Sequence, residues 1–178
     1  MKYSILVYLA GALNFMTLNA CSTIPKGATA VTPFDKEKYL GQWYEIARMD
    51  FRFEKNLNNT SARYSLNEDG TIKVDNRGYN YMTGEWKQAI GIAKFRSSEK
   101  IAMLKVTFFG PFYGSYNVIA LDNEYRYALI AGKNLDYLWI LSRETTIPET
   151  IKKQYLKIAS DLGYATADLI WVKHDKKQ

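Results

Sequence analysis

Between Gly41 and Ser142 the chain carries about eight short runs in which apolar and polar residues alternate, set near ten residues apart by turn signals. A period of two sends successive side chains to opposite faces, so each run reads as a strand with one dry and one wet side. Thr60 to Leu66 sets Thr60, Ala62, Tyr64 and Leu66 against Ser61, Arg63 and Ser65, and the Asn67-Glu68-Asp69-Gly70 turn leads back into Thr71 to Tyr79. Glu85 to Phe95 puts Ala89, Gly91, Ala93 and Phe95 on one face, small residues that would leave room in an interior. Ile101 to Phe109, Tyr116 to Leu121, Tyr125 to Ala131 and Tyr137 to Ser142 complete the series. They are joined by an aromatic turn at Phe109 to Gly114, by Asp122-Asn123 and by Gly132 to Asn134. Strands joined in order by short turns predict an antiparallel up-and-down sheet that removes its exposed edges by closing on itself. The expected fold class is all-β, an eight-stranded barrel.

The series begins with Gly41 to Arg48 (GQWYEIAR), read as the first long strand. Gly41 lets the backbone turn tightly into the sheet while the indole of Trp43 points inward and seals one end. By parity only Glu45 shares the face of Trp43, Arg48 does not, and a buried carboxylate there would need a partner. After the strands the period changes. Ile151, Tyr155, Ile158 and Leu162 fall on one helical face between Pro148 and Gly163, so a C-terminal α-helix should pack outside the barrel, followed by a short strand at Leu169 to Lys173. An aromatic content of 15% in 178 residues fits one strand-rich domain.

Residues 1–20 read as an address. Lys2 precedes the mostly apolar run Ile5 to Leu18, which is too short for a span of about 20 residues. Leu18-Asn19-Ala20-Cys21 resembles the bacterial lipobox, which implies diacylation of Cys21, cleavage before it and acylation of the new amino terminus. Ser22, a residue other than Asp after the cysteine, implies sorting to the outer membrane. Residues 21–32, with Pro25 and Gly27, read as a tether, and 33–178 as the barrel domain.

The residue types narrow the chemistry. Cys21 is the sole cysteine and His174 the sole histidine, the latter in a polar C-terminus expected to be mobile, which argues against a catalytic nucleophile, a metal site or an axial haem ligand. A net charge of +6 is scattered without a basic face, so nucleic acid is not an expected partner. No catalytic residue, metal or cofactor is assigned. What remains is a cavity. By alternation its wall draws on Ala62, Tyr64, Ala89, Ala93, Leu104, Val106, Phe108, Tyr116, Val118 and Trp139, with Tyr113 closing the mouth.

The order of Gly41-x-Trp43, Asp122 and Tyr125 at the sixth turn, Arg143 ending the eighth strand and a following helix resembles the lipocalins. The longer strings YLGQWYEIARMDFRFE, FFGPFYGSYNVIALD and YLWILSR extend the resemblance over the whole mature chain. Leu121-Asp122-Asn123 departs from the family's commoner Thr-Asp-Tyr. The resemblance implies that the guanidinium of Arg143 lies over Trp43, a structural contact worth about 0.5 to 2 kcal/mol. It also implies a fatty acid or lysophospholipid as ligand. Two other readings stay open, a lipid-modifying enzyme on the same barrel and a structural envelope protein without ligand. A homodimer is an open possibility on exposed Tyr and Trp.

Overall fold

The computed structural model describes residues 23–176. Cys21 and the leader 1–20 lie outside them. The described chain forms α1 (Lys36–Tyr39), β1 (Gly41–Arg48), β2 (Leu57–Leu66), β3 (Ile72–Asn80), β4 (Glu85–Phe95), β5 (Met103–Phe109), β6 (Phe112–Leu121), β7 (Tyr127–Ala131), β8 (Leu138–Ser142), α2 (Glu149–Asp161) and β9 (Ile170–Trp171). Each of β2 to β7 pairs antiparallel with the next, β8 pairs with β1, and β1 returns to β2, so the sheet closes. The β2–β3, β4–β5 and β6–β7 turns lie at one end, the floor. The β1–β2, β3–β4, β5–β6 and β7–β8 connections lie at the other, the mouth.

Two cores follow from the two faces. Inside pack Trp43, Tyr64, Val74, Ala93, Leu104, Val118, Ile130 and Leu141. Outside, Ile46, Ala47, Leu129 and Ile140 are covered by Tyr155 and Ala159 of α2. The Tyr155 hydroxyl donates to the Tyr127 carbonyl at 2.9 Å and fixes the helix on the wall.

Four local features differ from the reading of the sequence. First, Phe112 to Gly114, expected in a turn, belongs to β6, so the β5–β6 hairpin is longer and turns at Gly110-Pro111. Second, β1 carries one extra residue, Ile46, opposite β8: Glu45 faces Leu141 but Ala47 faces Ile140. This bulge inverts parity beyond it and turns Arg48 inward beside Trp139. Third, residues 23–32 lie against the barrel wall. The Val31 amide donates to Val118 O (2.8 Å), the Ala102 amide to Val31 O (3.0 Å) and Asn117 Nδ2 to Thr23 O (2.9 Å). Fourth, the C-terminal segment closes the barrel at the mouth end, where β1 and β2 part beyond Tyr44 and Ser61. There β9 pairs with β1, and Asn59 accepts the Asp175 and Lys176 amides, both at 2.8 Å. His174 is held within this seam. Its Nε2 bonds the Glu45 carbonyl at 2.8 Å, and its ring meets Tyr44 edge-on.

Candidate ligand-binding site

The floor is built around Trp43. Its indole N–H donates to the Tyr39 carbonyl at 2.8 Å, which ties the side chain to the end of α1. The Arg143 guanidinium lies over the ring at 3.8 Å from its centre. Its N–H groups donate to the carbonyls of Lys38, Tyr39, Gln42 and Tyr125, joining α1, β1 and the β6–β7 turn. Gly41 permits this approach: it takes a φ of +94°, and a Cβ there would stand 3.5 Å from Arg143 Nη1. Asp122 accepts the Arg126 and Tyr127 amides and shapes the turn. Tyr125, held at a φ of +57°, accepts the Asp35 amide on its hydroxyl. The five motif residues thus form one structure that seals the lower end.

Above the floor three tyrosines meet. The Tyr116 hydroxyl lies 2.6 Å from that of Tyr39 and 3.0 Å from that of Tyr64. Burial pushes all three phenols above their ordinary range, so they remain neutral donors and acceptors. Leu104 and Val106 continue the apolar wall toward Phe108. The space expected beside Gly91 is filled, because a Cβ there would come within 2.8 Å of the Phe108 ring.

The β1 side of the lumen carries a buried charge cluster that sequence parity missed. Arg48 donates to Glu45 Oε1 at 2.7 Å and to the carbonyls of Glu54 and Leu57 at 2.8 and 3.0 Å. Its Nε stands 3.6 Å from the Glu54 carboxylate, whose Oε2 also accepts from the indole of Trp139 at 3.4 Å. Burial, then the neighbouring Glu45 carboxylate, push Glu54 well above the ordinary carboxyl range, against the opposing pull of Arg48. Arg48 thus spends Nη1 and Nη2 on protein partners, and only its buried Nε lacks a hydrogen bond, so it offers no two-pronged fork to an anionic ligand.

Two polar atoms on the opposite wall lack partners among the described residues. Asn76 stands between Ala62 and Ala89 on the inner face of β3, and its Oδ1 accepts nothing. Thr60, turned inward against Gly78, has an unpaired Oγ1. Alternation sets Thr60 on the face of Ala62 and Tyr64, where the structure keeps it. Asn76 was not singled out from the sequence, although pairing β3 with its neighbours would have found its inward position.

Exposure along the inner face of β4 shows which end is open. Ala93 and Gly91 are buried, whereas Ala89 and Lys87, further toward the mouth on the same face, are exposed. Ala89 therefore lines the opening and not the deep wall. Tyr113 does not close the mouth: it shares the outer face of the hairpin with Lys105, whose ammonium lies over its ring at 4.9 Å. Among the described residues no group of three or more His, Cys, Asp or Glu side chains is placed to hold a metal.

A profile of the lipocalin-like domain matches residues 34–174. The chain is 52% identical over 171 residues to outer membrane lipoprotein Blc of Citrobacter freundii, spanning 95% of this chain and 97% of that one. It is 50% identical over 171 residues to outer membrane lipoprotein Blc of Escherichia coli (strain K12), with the same two shares. Among solved structures, insecticyanin from the tobacco hornworm Manduca sexta superposes with a TM-score of 0.70 at 20% identity, over 87% of this chain and 88% of that one.

Proposed function

The chain belongs to the lipocalin family, and from that premise we propose that it is an outer-membrane-anchored carrier that holds one single-chain lipid in its lumen and does not alter it. The observation that carries this reading is the graded inner face, apolar and sealed by Trp43 and Arg143 at the floor and open at Ala89 and Lys87. Such a shape suits an acyl chain pointing down with its head at the mouth. Burying about twelve methylenes gains roughly 10 kcal/mol over water. A two-chain phospholipid already has that gain in a bilayer, so fatty acids and lysophospholipids are the better matched ligands. Cys21 is the acylated residue that attaches the protein to the membrane, in keeping with its lipobox and with the lipoprotein relatives.

Between the two ligands, the side chains favour a lysophospholipid. Both terminal nitrogens of Arg48 are already bonded, so a fatty-acid carboxylate would find no two-pronged guanidinium inside. The unpaired Asn76 Oδ1 and Thr60 Oγ1 together suit the glycerol hydroxyl of a lysophospholipid, which donates as well as accepts, whereas a carboxylate can be met only by the Thr60 hydroxyl.

Native mass spectrometry of the mature protein, followed by fluorescence titration with both lipid classes, tests the reading. Saturable binding without a converted lipid is expected. Asn76→Leu should weaken lysophospholipid binding about three- to tenfold, the worth of one neutral hydrogen bond, and leave fatty-acid binding unchanged. Recovery of a chemically altered lipid would replace the carrier reading with an enzymatic one.

A further inference from the structure

The two ends of the barrel differ in what they show to solvent. At the mouth, Phe53 of the β1–β2 connection, Met82 of the β3–β4 turn, and Phe109 and Phe112 of the β5–β6 hairpin are 66%, 71%, 71% and 79% exposed. At the floor, among the described residues, the large exposed hydrophobic side chain is Leu66. Cations stand among the mouth aromatics: Arg52 lies over the Phe53 ring at 4.8 Å and Lys105 over Tyr113 at 4.9 Å. Cation–ring pairs occur at the floor too, Lys38 on Tyr125 and Arg126 on Tyr127, so what sets the mouth apart is its exposed apolar side chains on three connections, which suit a lipid–water interface where neighbouring cations meet anionic headgroups.

The N-terminal segment sets how near the barrel is held to the membrane. It leaves the floor, where the Phe34 amide bonds Lys100 O and Val31 pairs with Ala102. Gly27 packs on Leu162 at the end of α2, beside Gly163, which touches Leu135 of the β7–β8 connection. Thr23 returns to β6 at Asn117, next to the Val118 that holds Val31, and Asn117 Nδ2 also donates to the carbonyls of Ala131 and Gly132, where β7 turns toward β8. Consecutive Cα atoms are about 3.8 Å apart, so Cys21 lies within about 7 Å of Thr23 along the chain. A free twelve-residue tether would let the barrel stand well away from its anchor; a segment fastened to the wall holds it close.

We propose that the mouth is seated on the leaflet that holds the anchor, with Phe53, Met82, Phe109 and Phe112 in the lipid interface, so that ligand passes between bilayer and lumen without crossing water. This inference rests on the reading of Cys21 as the acylated residue. The anchor supplies attachment, and the rim supplies orientation. A single-chain lipid then enters head last, its acyl chain sliding from one apolar phase to another.

The test reconstitutes the protein matured from the full-length chain in phosphatidylethanolamine–phosphatidylglycerol vesicles whose acyl chains carry bromine as a contact quencher. Phe112→Trp at the mouth and Leu66→Trp at the floor are each read against the parent's own tryptophan signal. Quenching of the added signal about twofold or more greater for Phe112→Trp than for Leu66→Trp is expected. Equal quenching at the two ends, or none at Phe112→Trp, overturns the proposal. Flotation of the same samples and the mass of the N-terminal peptide report the anchor separately. A protein that floats with acylated Cys21 yet shows no contrast keeps its anchor and loses the seated mouth. If Cys21 proves unacylated, the anchor reading fails, and the contrast at saturating vesicle concentration still decides the rim. A blue shift of Phe112→Trp that grows with protein concentration and ignores vesicles assigns the rim to a second copy and also overturns the proposal.

Discussion

Glu54 is a residue whose ionisation the fold alters strongly. Its carboxyl is raised well above the ordinary value of 4.5 by burial and by Glu45. A group whose folded pKa exceeds its unfolded one binds more protons when folded, so its contribution is fully present below the unfolded value and is lost as pH rises through the folded one. Urea denaturation at a series of pH values should therefore find Glu54→Gln gaining stability relative to the parent as pH rises above about 4.5, with no such trend below. The cluster also fixes what happens when its cation is removed. Arg48→Met leaves Glu45 buried without its partner and should cost about 3 to 5 kcal/mol, measured at neutral pH. Glu45 was legible from the sequence as a carboxylate needing a partner. Arg48 was not legible as that partner, because a single extra residue at Ile46 decides which way it points.

The elements are held by contacts of unequal sequence separation. The C-terminal seam depends on Asn59, which accepts the Asp175 and Lys176 amides and donates to Asp175 Oδ1 at 3.1 Å. Asn59 takes a φ of +54°, so Asn59→Gly removes these bonds without backbone strain. A loss of about 2 kcal/mol is expected, with faster amide exchange at Asp175 and Lys176 as the local signature. On β4, Gly91→Ala would push a methyl to 2.7 Å from the Thr107 carbonyl and 2.8 Å from the Phe108 ring. Thermal unfolding should register about 1 to 3 kcal/mol of overpacking there. The strands themselves were legible, because alternation is a local property of the chain. Their ends were less so: Phe112 and Tyr113 look like turn residues in sequence, and only pairing opposite β5 draws them into β6.

For the molecule as a whole, the floor joins parts of the chain about a hundred residues apart through one guanidinium. Arg143→Lys keeps the charge but cannot reach the carbonyls of Lys38, Gln42 and Tyr125 together, and a loss of about 2 kcal/mol in chemical denaturation is expected. The order of strands, the outer helix and the floor pair Trp43 and Arg143 could be read from the chain alone, the first two because period and turn chemistry are local, the third through a family resemblance. The inner or outer placement of Arg48 and Tyr113 could not. A one-residue bulge or a hairpin's length reverses a side chain's face without changing local composition. The course of residues 23–32 belongs to the same class, since nothing in Pro25, Gly27 or Ala30 specifies Asn117 and Leu162 as partners. The chain by itself determined that there is a barrel with a sealed floor. Only the closed tertiary structure decided which atoms face the lumen and where residues 23–32 run, because both depend on contacts between segments that are distant in sequence.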